Sequence, residues 1–102
     1  MIHVVAVITA KPGQRENMLK EARANLEAVR AENGCIEYGP VVDASAGGFQ
    51  TPLGPDTFMV IEKWTDMDAL KAHAAAPHMK AFSARVKDFV ANRAIHVLTS
   101  AE

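Results

Sequence analysis

The apolar residues of this chain switch repeatedly between a spacing of two and a spacing of about 3.6, and the order of those switches constrains the fold most. Ile2 to Thr9 is dominated by Ile and Val and stops at Lys11-Pro12-Gly13, which reads as a strand and a turn. From Gln14 to Glu32 the spacing becomes helical, with Met18, Leu19, Ala22, Leu26 and Val29 on one face. Asn33-Gly34 supplies a helix stop, since glycine accepts the left-handed C-cap. Cys35 to Val42 reads as a second strand, broken or bulged at Gly39-Pro40. Asp43 to Asp56, rich in Ala, Ser, Gly and Pro, reads as a long irregular loop of the kind that often serves as a lid or binding loop. Thr57 to Trp64 is a third strand, and Thr65 with Asp68 predicts a capping box for the helix that follows. That helix is short, and Pro77 opens another, whose stripe is Met79, Phe82, Val86 and Phe89. Ala94 to Thr99 is the last strand.

The order is β-α-β-β-α-β with a split second helix. It predicts an α+β, ferredoxin-like split βαβ domain spanning 1–102, a four-stranded antiparallel sheet with helices on one face. A sheet covered on one face should alternate apolar with polar. Here Ile2, Val4, Ala6 and Ile8 alternate with Val5 and Val7, and Phe58 and Val60 with Met59 and Ile61. Both faces need cover, and a second copy could cover the one the helices leave, giving a homodimer. A hydrophobic content of 49% with 23% charged residues argues against disorder, and a net charge of -1 leaves no footprint for nucleic acid or an anionic membrane. No apolar run is long enough for a membrane span, and the start lacks a secretory pattern. With Cys35 alone, no internal disulfide can form, so the expected setting is reducing and cytoplasmic.

The chemistry concentrates after the third strand, where Glu62-x-Trp64 leads to His73, His78 and Phe82. Two readings are open for each histidine: a general base or anion orienter in a small aromatic-walled pocket, or a core or surface imidazole satisfied by its neighbours. Glu62 shares a strand face with Trp64 and is either a pocket group or an ion-pair partner; Trp64 itself reads equally as core. Tyr38 either donates a hydrogen bond to a ligand or keeps a wet hydroxyl at the edge of the core. Cys35 has no basic neighbours in sequence and reads as a structural thiol. His73, His78 and Glu62 have the donor types of a non-haem iron site, but the histidines lie five apart across Pro77, so no metal is expected.

The opening strand ending at Lys11-Pro12-Gly13, the Glu32-x-Gly34-Cys35-x-x-Tyr38 stretch, Glu62-x-Trp64, Asp66, Ala69-Leu70-x-x-His73 and His78-x-x-x-Phe82 together resemble the antibiotic biosynthesis monooxygenase family, of quinol-monooxygenase type. The resemblance spans nearly the whole chain outside the 43–56 loop. It implies a dimeric α+β barrel and cofactor-free oxidation of a hydroquinone or polyphenolic aromatic by molecular oxygen. Haem-degrading relatives use an Asn, a Trp and a His where this chain has Ala6, His73 and Ser83, so that activity is not implied. Aromatic oxygenases of the family use a strand-end Trp, matched by Trp64, with an Asn and a Tyr where this chain has Val60 and Leu70, and an Arg near Arg85. The expected division of roles is His73 as base, Trp64, Phe58 and Phe82 holding the ring, and His78 or Arg85 stabilising developing negative charge. Tyr38 and Glu62 complete the binding set. The alternatives are an isomerase using the same His as base and a non-catalytic binding or stress protein.

Overall fold

A computed structural model describes residues 1–102. Its elements are β1 (Ile2–Ala10), α1 (Arg15–Arg30), β2 (Cys35–Val41), β3 (Thr57–Trp64), α2 (Met67–Ala75), α3 (Pro77–Val86) and β4 (Val90–Leu98). The strands form one antiparallel sheet in the order β2-β3-β1-β4, the ferredoxin-like arrangement expected. The two most aliphatic strands, β1 and β3, take the centre, where each has a partner on both sides.

Side chains alternate across the sheet. Val4, Ala6, Ala10, Phe58, Val60, Glu62 and Trp64 are buried under the helices. Val5, Val7, Met59 and Ile61 point to the other face and are half-buried. Trp64 is fully buried and packs with Val4 and Val29. A second cluster joins Phe58 and Val60 to Met18 and Leu19 of α1 and Val86 of α3. Burying a large aromatic removes roughly 150–250 Å² from water, which at ~25 cal/mol per Å² contributes about 4–6 kcal/mol.

Local details differ from the sequence expectation in four places. The α2 cap is Asp66, whose Oδ1 accepts from the Ala69 N–H at 2.8 Å, not a Thr65–Asp68 box. Thr65 is engaged elsewhere, its N–H donating to the Gly34 carbonyl at 2.9 Å. The irregularity in β2 falls between Cys35 and Glu37, whereas Gly39 and Pro40 pair in register with Ile61 and Val60. As the sheet's edge strand, β2 has an unpaired side on which a proline is tolerated. The last strand begins four residues earlier than expected, at Val90, because it follows β1 along its whole length. On α1, Asn25 occupies the buried stripe with Met18, Ala22 and Val29, while Leu26 is only half-buried.

The break between α2 and α3 has a simple cause. Ala76 precedes Pro77, which pushes it to an extended conformation (φ -63°, ψ 136°). The 43–56 loop is irregular as expected. Asp43 organises it by accepting from the N–H groups of Leu53 and Gly54, which lowers the Asp43 pKa.

Gly34 sits where α1, β2 and α2 converge, with φ +84° and with Ala69 Cβ and Thr65 Oγ1 2.6 and 2.7 Å from where a Cβ would stand. Gly34→Ala therefore combines left-handed strain with overpacking and should cost about 2–4 kcal/mol in urea denaturation. Gly13 has a similar φ (+78°) but open space around it, so Gly13→Ala should cost only the backbone part, ~1–2 kcal/mol. Equal losses at the two sites would refute the close-approach argument.

Candidate active site

Between the helix-facing side of the sheet and α2–α3 lies a cavity of about 690 Å³, within the roughly 300–1,000 Å³ range of small-molecule sites. Its floor and inner wall are the buried Val4, Ala6, Phe58, Val60 and Glu62, with Ile8 and Tyr38 beside them. Leu70 and His73 of α2 and Met79 and Phe82 of α3 form the roof. The exposed members of the lining are Lys71, Ala74, Lys80 and Ser83 on the helices and Arg93, Ile95 and Val97 on β4, so the mouth opens between β4 and the helix pair.

Among the lining residues, His73 is paired with a carboxylate that stands outside the lining. Its Nδ1 lies 2.7 Å from Glu32 Oε2, and the two side chains are 7% and 16% exposed. A carboxylate only accepts, so the contact places the proton on Nδ1 and leaves the lone pair of the neutral ring on Nε2. Trp64 backs the imidazole with ring centroids 4.7 Å apart, and Tyr38 meets it edge-on at 5.4 Å. Trp64 Nε1 donates to Glu62 Oε1 at 2.9 Å. Burial raises the Glu62 pKa, Glu32 adding to the rise while the Trp64 hydrogen bond and the nearby His73 oppose it. Burial also drives the Tyr38 hydroxyl well above its ordinary range, so it remains a donor. The Cys35 thiol is pushed up by burial and by Glu32, which keeps it protonated and fits the structural reading.

His73, Tyr38, Phe58, Phe82 and Glu62 therefore share one cavity, and Trp64, His78 and Arg85 stand outside its lining. Trp64 supports the imidazole from behind. Arg85 Nε donates to Glu21 Oε2 at 2.9 Å on the outer surface, away from where a developing anion would sit. His78 is placed behind Glu32: its Nδ1 faces Asn25 Nδ2 at 3.3 Å, and its Nε2 lies 3.3 Å from Glu32 Oε2 without hydrogen-bond alignment. The carboxylate that meets both histidines is thus Glu32, whereas Glu62 is engaged by Trp64. Spacing alone gives no role to Glu32 or Asn25. The available signals are Asn25 on an apolar helical stripe and an acid two residues before the constrained Gly34. No residue of the 43–56 loop lines the cavity of its own chain.

With this geometry in place, comparison gives the class. The family described as Antibiotic biosynthesis monooxygenase matches residues 1–85, and the chain belongs to that family. It is 38% identical over 100 residues to the protein named "Probable quinol monooxygenase YgiN" of Escherichia coli K12, covering 96% of each chain. That name supports a monooxygenase-type function. The crystal structure of PA3566 from Pseudomonas aeruginosa matches with a TM-score of 0.80 and 31% identity, over 99% of this chain and 94% of that one. Rv0793 from Mycobacterium tuberculosis, at 24% identity and a TM-score of 0.79 over 99% and 95% of the two chains, shares the fold.

The raised Glu62 pKa has a consequence for stability. The folded protein holds this proton more tightly than the unfolded chain, so the contribution of Glu62 is most favourable at low pH. It is lost as pH rises from the ordinary glutamate value of about 4.3 to the raised folded value. Glu62→Gln keeps an acceptor for Trp64 but cannot ionise. Urea denaturation across a pH series should show the parent losing stability relative to Glu62→Gln as pH rises through that window. A difference that does not change with pH would contradict the assignment.

Proposed function

We propose that this chain is a cofactor-independent monooxygenase of hydroquinone-like aromatics, with His73 as the general base. The carrying observation is His73, which lines a cavity walled by Phe58, Phe82 and Tyr38 and is met at 2.7 Å by Glu32 from outside the lining. Glu32 fixes the imidazole tautomer and stabilises the imidazolium, leaving Nε2 to accept a phenolic proton. The phenolate so formed is a far better electron donor than the phenol. It passes one electron to oxygen, and the resulting radical pair combines at a ring carbon. Loss of water then leaves a hydroxylated quinone. The sum is one quinol and one oxygen molecule giving one hydroxyquinone and one water. The protein's work is to deprotonate, hold the ring flat and exclude bulk water. Tyr38 is the donor available to the developing oxygen anion.

The expected test is oxygen uptake with a panel of quinols. His73→Ala should reduce turnover by about 10²- to 10⁴-fold with fold intact. Glu32→Gln should give a smaller loss, roughly 10- to 100-fold, because the hydrogen bond survives without its charge. His78→Ala should cost less than His73→Ala, since His78 reaches the base only through Glu32. Normal turnover by His73→Ala would overturn the assignment. Quinol consumption without oxygen uptake would favour the isomerase alternative, and neither would favour a binding protein.

The same reading includes a homodimer that acts on a small aromatic in a soluble compartment, the cytoplasm. Its support is the outer sheet face, where half-buried Val5, Val7, Met59 and Ile61 adjoin the exposed Val41 and Leu98. Burial of that face at ~25 cal/mol per Å² drives association. Light scattering at micromolar concentration should report twice the chain mass, and Ile61→Asp should shift the population to monomer. A monodisperse monomer of the parent chain would remove this part of the proposal.

A further inference from the structure

The cavity mouth carries three cations from three different elements: Lys71 on α2, Lys80 on α3 and Arg93 on β4. None of them enters an ion pair or a side-chain hydrogen bond, although Arg23, Lys63 and Arg85 elsewhere all do. The one acid in the lining is Glu62, which is buried and whose charge is disfavoured there. The cavity therefore has an apolar body, a proton-accepting end and an uncompensated positive rim. A low-dielectric wall around such a rim focuses the potential on anything entering.

The sheet register sets the backbone offset between Arg93 and Glu62, whose partner Trp64 backs the His73 ring. Val4 pairs with both Glu62 and Val97, and Ile8 pairs with both Phe58 and Arg93. Glu62 and Arg93 are thus offset by four residues along the strands, ~13 Å, and by two strand spacings, ~9.6 Å, across them. A fused-ring or extended aromatic with a charged tail matches such a backbone span better than a single unsubstituted ring does.

We infer that the substrate is a hydroquinone carrying an anionic substituent, a carboxylate or sulfonate, on the end remote from the reacting hydroxyl, and that Arg93 is the residue that selects for it. The planar guanidinium fork matches either anion, and Lys71 and Lys80 add charge without directional demand. The inference rests on the cavity being the substrate site proposed above. Arg93 is a specificity residue in this reading and takes no part in proton transfer.

The test is a binding titration that needs no turnover. One probe is a hydroxynaphthoate with hydroxyl and carboxylate at opposite ends of the fused rings. The other is its methyl ester, of nearly the same shape but neutral. Ligand fluorescence should show the acid binding about three- to tenfold more tightly than the ester, a range set by one charge-assisted contact at an exposed group. The preference should shrink as salt is raised. Arg93→Gln should remove most of it, leaving the small salt-sensitive part due to Lys71 and Lys80, while ester affinity stays unchanged, and Arg93→Lys should retain more of it. The Arg93 side chain is exposed and makes no hydrogen bond or ion pair, and circular dichroism of both variants checks that the fold is kept. Equal affinities for acid and ester, no binding of either at millimolar concentration, or a preference undiminished by Arg93→Gln would each overturn the inference. Oxygen uptake separates it from the reading beneath it. Anion preference with no uptake from any quinol would leave the anion site standing and remove the monooxygenase. Uptake from neutral quinols with no anion preference would do the reverse.

Discussion

Glu32 and His73 meet at 2.7 Å where three elements come together, and the upper end of the molecule is organised around that contact. Glu32 lies two residues past the end of α1, where the helix carbonyls already present partial negative charge. A carboxylate at that place, mostly removed from water, is unfavourable unless a donor meets it. His73 supplies the donor from α2, and the ring of His78 approaches the same oxygen from α3. Asn25, on the buried stripe of α1, holds the far nitrogen of His78. The three helices are therefore tied by one short polar chain as well as by apolar packing. Its cost is offset only when every member is present, so removing Glu32 affects both imidazoles at once.

The buried face of β3 supports that chain from below. Phe58, Val60, Glu62 and Trp64 alternate inward along the strand. Trp64 lies against the imidazole, and its only polar atom is satisfied by Glu62 on the same face. The tryptophan thus does two things that a leucine could not: it gives His73 a flat surface and gives a buried carboxyl a donor. Glu62 remains in the cavity wall, where burial favours its protonated form. Two acids near one histidine are kept apart in role by their partners. Glu32 faces imidazole nitrogens, whereas Glu62 faces an indole N–H inside an apolar wall.

Hydrophobic period was enough to order the strands and helices, because long periodic runs leave little freedom in a chain of this length. The split of the second helix was equally legible, since Pro77 dictates the conformation of Ala76. Capping and bulge positions were not, because they depend on contacts distant in sequence: the Thr65 N–H is taken by the Gly34 carbonyl, and the helix is capped one residue later, by Asp66. The site was legible where chemistry and periodicity coincide, as at His73, Phe58 and Phe82, all of which line the cavity. It was illegible where tertiary approach decides the role. Nothing near Glu32 in sequence indicates a histidine 41 residues away, and nothing near Arg85 shows that Glu21 engages its guanidinium. A titratable side chain can be recognised from sequence, but its partner is set by packing.

The two faces of the sheet differ in character, and this bears on how the proposed dimer and the open cavity would coexist. The helix-facing side holds the cavity, whose mouth is bounded by Arg93, Ile95 and Val97 of β4 and by the exposed edges of α2 and α3. The outer side holds the aliphatic surface of Val5, Val7, Met59 and Ile61. Because consecutive residues of a strand point to opposite faces, β4 can border the mouth with Arg93, Ile95 and Val97 while offering Ala94, His96 and Leu98 to a partner. Pairing through the outer face, as proposed, would leave the mouth unobstructed. It would also cover the outer face of β4, an edge strand exposed along almost its whole length. A substrate anchored on Arg93 at that edge depends on the strand staying in register with β1. Assembly could therefore sharpen selectivity without adding a single residue to the cavity.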